Sequence, residues 1–126
     1  MAPLRARRHL LVVEDDSDQR KVLEDRLQLY GFTVDSVGDG RTAMDRLETG
    51  SFDGLLLDLN LPRLDGNEVL LQARQKFPDL PVLIMSASQS RIRAAQASQA
   101  KACGYLLKPF NAAEFKSALH CCFGPS

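Results

Sequence analysis

Five polar positions in this chain each follow a short apolar run, and their chemistry is complementary. Glu14 and Asp15 come directly after HLLVV, Asp58 after GLLL, Ser86 after VLIM and Lys108 after YLL. Carboxylates brought together would repel one another, and the single lysine leaves an excess of negative charge that a divalent cation would offset. Carboxylates, a backbone carbonyl and water suit a hard, oxygen-seeking ion, and Mg²⁺, which keeps several waters, fits best. A site neutralised in this way can accept a dianionic phosphoryl group. The metal and Lys108 would offset charge on the transferring oxygens while the Ser86 hydroxyl donates a hydrogen bond. Asp58 is then the nucleophile, being ionised at neutral pH without help from a general base. The two histidines, His9 and His120, stand at the start of the first apolar run and near the chain end, away from these positions. One acid after a strand commonly caps a helix, and Asp16 or Ser17 reads as such a cap. Capping does not explain a complementary set.

The elements that must position these residues are legible as alternating short apolar runs and longer periodic segments. Strands are expected over His9 to Val13, Thr33 to Ser36, Gly54 to Leu57, Val82 to Met85 and Tyr105 to Leu107. LLVV, LLL and VLIM are continuously apolar, as strands covered on both faces should be. Helices are expected over Ser17 to Tyr30, Gly40 to Thr49, Asn67 to Phe77 and Gln89 to Ala102. The first shows a stripe of Val22, Leu23, Leu27 and Tyr30, the second Ala43, Met44 and Leu47, and the third Val69, Leu70 and Ala73. The fourth has Ile92 and otherwise alanine, so it should form readily yet be loosely held. A fifth helix opens on Asn111, three residues before Glu114 in a capping-box arrangement, and carries Phe115, Ala118, Leu119 and Cys122. Right-handed crossovers then give an α/β fold, an open five-stranded parallel sheet with helices on both faces. Ligands of such sheets bind beyond the carboxyl ends of the strands, where the five polar positions lie. Lys108 precedes Pro109, and that bond can be cis.

Composition sets the outer limits. A chain of 126 residues fits one domain. Lys plus Arg and Asp plus Glu are 16 each, so the overall balance gives no sign of a polyanion-binding protein. Arg5, Arg7 and Arg8 make residues 1–8 a basic tail, read as solvated rather than as a nucleic-acid or membrane contact. The run from Leu10 to Val13 is too short for a signal-peptide core, and no stretch approaches membrane-spanning length. A cytoplasmic protein is expected. Cys103, Cys121 and Cys122 lack metal-ligand spacing, and an adjacent pair on a helix points about 100° apart, so core or semi-buried thiols in a reducing compartment are expected.

The motifs VVEDD, LLLDLNLPRLDG, MSAS and GYLLKPF occur in an order and spacing that resemble the receiver domains of response regulators in bacterial two-component signalling. The resemblance runs from about His9 to Leu119, with the domain expected over 9–123 and a short tail over 124–126. It implies a flavodoxin-like (βα)5 sheet of receiver type, with Asp58 as phosphoacceptor and Asp15 as direct ligand of Mg²⁺ or Mn²⁺. It also implies that Glu14 acts through a metal-bound water, that the backbone carbonyl of Asn60 completes the shell, and that Lys108 and Ser86 contact the phosphoryl group. Tyr105 matches an aromatic switch that moves inward when Ser86 is engaged. The implied donor is a sensor histidine kinase or a phosphotransfer protein. The implied output is an altered surface of the fourth helix, fifth strand and fifth helix, read by a target protein or by an output domain elsewhere. Such a domain is a monomer or a phosphorylation-dependent dimer, and is a signalling module that catalyses its own modification rather than a turnover enzyme.

Three other functions compete. A phosphohydrolase similar to the haloacid dehalogenases would carry a second Asp two residues after the nucleophile, where this chain has Asn60. A flavin-binding module would need a phosphate loop after the first strand, where Glu14, Asp15 and Asp16 would repel a phosphate. A phosphorylation-independent interaction module on the same fold is opposed by the complete set of Asp15, Asp58, Ser86 and Lys108. No output domain follows Leu119, so the chain either works alone or is part of a longer regulator.

Overall fold

The structure, a computed structural model, describes residues 7–124. Most of the basic tail and the last two residues therefore lie outside the described part. Strands β1 (His9–Val13), β2 (Thr33–Val37), β3 (Gly54–Asp58), β4 (Val82–Ser86) and β5 (Gly104–Leu107) alternate with helices α1 (Ser17–Leu29), α2 (Gly40–Thr49), α3 (Gly66–Lys76), α4 (Gln89–Ala97) and α5 (Ala112–Phe123). All pairings are parallel, in the order β2-β1-β3-β4-β5. The expected open α/β sheet is present. Among the described residues no helix is long and apolar enough to cross a membrane.

Alternation along each strand divides the core between the two faces. Leu11, Val13, Leu55, Leu57, Val82 and Ile84 pack with Ala43, Met44 and Leu47 of α2, Val69, Leu70 and Ala73 of α3, and Ala95 of α4. Leu10, Val12, Leu56, Leu83, Met85 and Leu106 face the other way, toward Leu23 and Leu27 of α1 and Phe115, Leu119 and Phe123 of α5. Every residue of β3 and β4 is buried, which is why their sequences are continuously apolar up to the terminal Asp58 and Ser86.

Besides shifts of one residue at several element ends, two details of the helices differ from the sequence expectations. Val22 is 56% exposed rather than part of the α1 stripe; Leu23 and Leu27 alone carry that helix's buried face. Helix α4 ends at Ala97, not Ala102, because Ser98 takes an extended backbone and its hydroxyl accepts from the Ala100 amide. Serine offers the chain this local alternative to another helical turn, and little apolar surface is available to oppose it. Ile92 and Ala95 are the buried residues of α4.

The caps follow the expected chemistry. The Asp16 side chain accepts from the Asp18 and Gln19 amides, and Asn111 and Glu114 form the full capping box. Asp39 caps α2 by accepting from the Thr42 amide and hydroxyl. Its carboxyl is held below the usual range chiefly by the Thr42 backbone bond, which burial opposes. Asp39→Ala should therefore cost about 1 kcal/mol at neutral pH. Because folding depresses this pKa, the contribution is present above the unfolded carboxylate pKa and fades as pH falls through the folded one. Urea melts of both proteins at neutral and strongly acidic pH check this, and a cost that persists undiminished in acid would contradict it.

Candidate functional site at the carboxyl ends of the strands

The parallel register carries the polar residues to one pole. Val13 pairs with Leu57, Asp58 with Met85 and Ser86 with Leu107, so the residues that close β1, β3, β4 and β5 emerge side by side. The ladder extends one step further through the Lys108 amide, which donates to the Ser86 carbonyl at 2.8 Å. The Lys108–Pro109 bond is cis.

Four of the five polar positions form one cluster, and Ser86 closes the neighbouring strand β4. Carboxylate oxygens of Glu14, Asp15 and Asp58 all lie within 4.8 Å of one another. Glu14 and Asp58 are buried, whereas Asp15 is exposed. Lys108 Nζ bridges the two buried acids, donating to Glu14 Oε1 and, at 2.8 Å, to Asp58 Oδ2. The other Asp58 oxygen accepts from the Asn60 amide at 2.8 Å. Asn60 is itself exposed beside the cluster. Ser86 is fully buried, and its hydroxyl oxygen accepts from the Ser88 amide at 3.0 Å. Tyr105 lies on β5, its ring half-buried against the α4 side of the core and its hydroxyl accepting from the Ala102 amide at 3.1 Å. His9 stands at the opposite pole, stacked on Phe52 and bonded to Thr33 and Asp35.

The electrostatics are those of acids short of cations. Burial pushes the Glu14 carboxyl above its usual range, and the Asp58 charge adds to this, while Lys108 opposes it. Burial alone would pull Lys108 down, but its bonds to Asp58 and Glu14 outweigh that and hold it above the ordinary lysine value. Three acids and one lysine make a donor set of hard oxygens close enough to share one ion, so the residues fit a divalent metal such as Mg²⁺.

Three positioning residues were not apparent from sequence. Gln19 Oε1 accepts from Lys108 Nζ at 2.9 Å, across 89 positions of chain. Arg20 Nη1 donates to the Glu14 carbonyl at 2.8 Å. Arg91 of α4 donates to the Leu59 carbonyl at 3.0 Å and pairs with Asp65, the residue before α3. Both Gln19 and Arg20 stand in the first turns of α1, where polar residues are ordinarily solvated, so their types alone carry no signal. Beside the cluster, Gln19, Val22, Leu23, Pro109 and Phe110 line a cavity of about 390 Å³.

An open parallel sheet whose strand ends gather acids and a lysine belongs to the α/β class that binds ligands beyond the carboxyl ends of its strands. The family model for the response regulator receiver domain matches residues 10–120. The chemotaxis protein CheY of Pseudomonas aeruginosa is 35% identical over 113 residues, covering 87% of this chain and 91% of that protein. The transcriptional regulatory protein QseB of Haemophilus influenzae is 41% identical over 110 residues, 87% of this chain but 50% of QseB. Among solved structures, the receiver domain of a sensor histidine kinase from Pseudomonas aeruginosa, with magnesium coordinated in its active site cleft, superposes with TM-score 0.84. It is 30% identical and covers 94% of this chain and 99% of that one. The response regulator protein TrrA of Thermotoga maritima, in complex with Mg²⁺ and BeF, gives TM-score 0.81 at 30% identity, covering 89% and 96%. The chain belongs to the response regulator receiver domain family of two-component signalling. Receiver domains are signalling modules rather than turnover enzymes, and they work with histidine kinases and downstream effectors.

Proposed function

We propose that this domain takes a phosphoryl group from the phosphohistidine of a sensor kinase or phosphotransfer protein onto Asp58 and signals by altering the surface of α4, β5 and α5. The observation that carries this reading is the convergence of Glu14, Asp15 and Asp58 within 4.8 Å, with Lys108 already bridging two of them. Glu14, Asp15, Asp58 and the Asn60 backbone carbonyl would hold Mg²⁺, or Mn²⁺ in its place, with Asp15 a direct ligand and Glu14 acting through water. When bound, the ion supplies positive charge that offsets the charge of the incoming group.

Asp58 attacks the phosphorus, an O–P bond forms, and the P–N bond breaks with its electron pair returning to the donor imidazole. Lys108 must turn from the carboxylates toward the phosphoryl oxygens, and Ser86 must rotate so that its hydroxyl, which accepts from the Ser88 amide, donates its own proton to them. Movement of Ser86 leaves space for Tyr105 to rotate away from Ala102. Helix α4, with its small buried face, is the element least anchored against the resulting change. Residues 9–123 form the receiver unit. The reading places it in the cytoplasm, acting on a target protein or as the receiver of a longer regulator such as QseB, of which the match covers 50%. It is compatible with a monomer or a phosphorylation-dependent dimer.

Incubation with acetyl phosphate and Mg²⁺ followed by intact mass measurement tests the chemistry. The expected result is the mass of one added phosphoryl group, absent with EDTA and absent in Asp58→Ala. An unmodified wild-type protein would leave only the interaction-module reading, and equal modification of Asp58→Ala would place the acceptor elsewhere.

A further inference from the structure

Cys103 and Cys122 are joined by a disulfide, with Cα atoms 5.4 Å apart. This differs from the expectation that Cys103, Cys121 and Cys122 are core or semi-buried thiols. Cys103 is exposed, immediately before β5, and Cys122 is half-buried near the end of α5. Cys121 is a free, exposed thiol.

We propose that Cys103 and Cys122 are a reversible thiol–disulfide site that exchanges with low-molecular-weight disulfides and sets how firmly Tyr105 is held. Its architecture accommodates both redox forms. Gly104 opens β5, and a Cβ there would stand only 3.0 Å from the Cys122 sulfur, so the strand begins with the one residue that lets this sulfur approach. In the reduced form the Cys103 thiol has an acceptor in place, since its sulfur lies 3.1 Å from the Val82 carbonyl. Cys122 then packs on the cluster formed with Phe115, Leu119 and Leu106, which joins β5 to α5 without the covalent bond. The exposure of Cys103 makes it the sulfur that a soluble reagent reaches first.

The exchange balances. The Cys103 thiolate attacks one sulfur of a small disulfide and releases one thiolate. The Cys122 thiolate then attacks the Cys103 sulfur of the mixed disulfide and releases the second. The protein's two thiols are oxidised, the small disulfide is reduced to two thiols, and the two protons lost by the cysteines are taken up by the leaving groups. In a reducing compartment such a bond is transient, which suits a sensing site.

The bond lies next to the residue proposed to switch. The Ala102 amide, which holds the Tyr105 hydroxyl, immediately precedes Cys103. Oxidation fastens this segment to α5, so Tyr105 keeps its partner. Reduction removes the tie to α5 and leaves this segment held by the Cys103 amide on the Val82 carbonyl and by the packing of Ala102 on the core. The coupling rests on the proposed role of Tyr105, whereas the exchange chemistry does not.

Cys121→Ser removes the third thiol and isolates the pair. This protein, equilibrated with graded ratios of reduced and oxidised glutathione, is alkylated and weighed intact. The expected result is joint protection of both remaining thiols under oxidising ratios, fully reversed by dithiothreitol. Alkylation of both at every ratio, or a glutathione adduct that never closes, would overturn the site. In the unphosphorylated protein, the Ala102 amide should exchange about tenfold faster after reduction; equal rates would overturn the coupling. Acetyl phosphate applied to the reduced protein reads the other proposal separately, since its failure would remove the phosphoacceptor role while the glutathione titration stands.

Discussion

Lys108→Met is expected to lower the unfolding free energy by about 3 kcal/mol in EDTA, the lower end of the cost of removing one partner from a buried ion pair. Lys108 is the cation that bridges Glu14 and Asp58, whose side chains are 2% and 5% exposed. Methionine keeps the length of the side chain and removes the charge, leaving two buried acids facing each other. Glu14 limits the cost because burial already favours its protonated form. Taking up that proton lets the variant avoid an uncompensated charge. The sign of the pH dependence follows. A carboxyl raised by folding costs stability once it ionises, so the gap between variant and parent should widen as pH rises through the carboxylate range and narrow in acid.

Mg²⁺ should reverse most of the loss, because the proposed metal supplies the cation that methionine lacks. At 100 times its Kd a ligand bound only to the folded state adds about 2.7 kcal/mol. The variant should therefore show a larger Mg²⁺-dependent gain than the parent in parallel denaturant melts. It should nevertheless accept a phosphoryl group about 100-fold more slowly, since the group proposed to contact the transferring oxygens is gone. A variant as stable as the parent in EDTA, or one that gains nothing more from Mg²⁺, would refute the view of Lys108 as the internal counterion.

What made this site legible was the physical contrast at each strand end. A fully buried parallel strand admits only apolar residues, so Asp58 and Ser86 stand out as the first polar atoms after LLL and VLIM. The same contrast located Glu14 and Lys108. Helices α2 and α3 were readable because Gly50 and Pro78 punctuate them and their buried stripes are large. Helix α4 was overextended because alanine favours helix at every position and so marks no end. Ser98 decided the boundary through a local hydrogen bond. Gln19, Arg91 and the Cys103–Cys122 pair were opaque for another reason. Each acts through a partner far along the chain, and nothing in residue type distinguishes Arg91 on Leu59 from an arginine in water.

Gly66→Ala is expected to disturb the site from behind, although residue 66 contributes no polar side chain to the cluster. A Cβ on Gly66 would fall 2.4 Å from Leu59 Cα and 2.5 Å from the Asp58 carbonyl oxygen. Both are backbone atoms, so no rotamer change relieves the overlap, and either α3 or the segment after β3 must move. That segment is held on several sides. The Gly66 amide donates to the Leu59 carbonyl, Arg91 donates to the same oxygen, and the Asn60 amide binds Asp58 Oδ1. The substitution should cost about 3 kcal/mol, the upper range for inserting a methyl group into a close-packed region. A displacement of Asp58 of about 1 Å would slow phosphoryl transfer by about 100-fold. Gly38→Ala supplies the contrast, because the tight contact of its Cβ, at 3.0 Å, would be with Nη1 of the Arg20 side chain, while the one backbone atom nearby, the Glu14 carbonyl oxygen, stands at an ordinary 4.0 Å. That variant should stay within about 0.5 kcal/mol of the parent, as surface substitutions generally do. Thermal melts and initial rates with acetyl phosphate on the two variants separate the effects. If Gly66→Ala matched Gly38→Ala in both measurements, the close approach of α3 to the residues after β3 would not be what fixes Asp58, the proposed phosphoacceptor, in place.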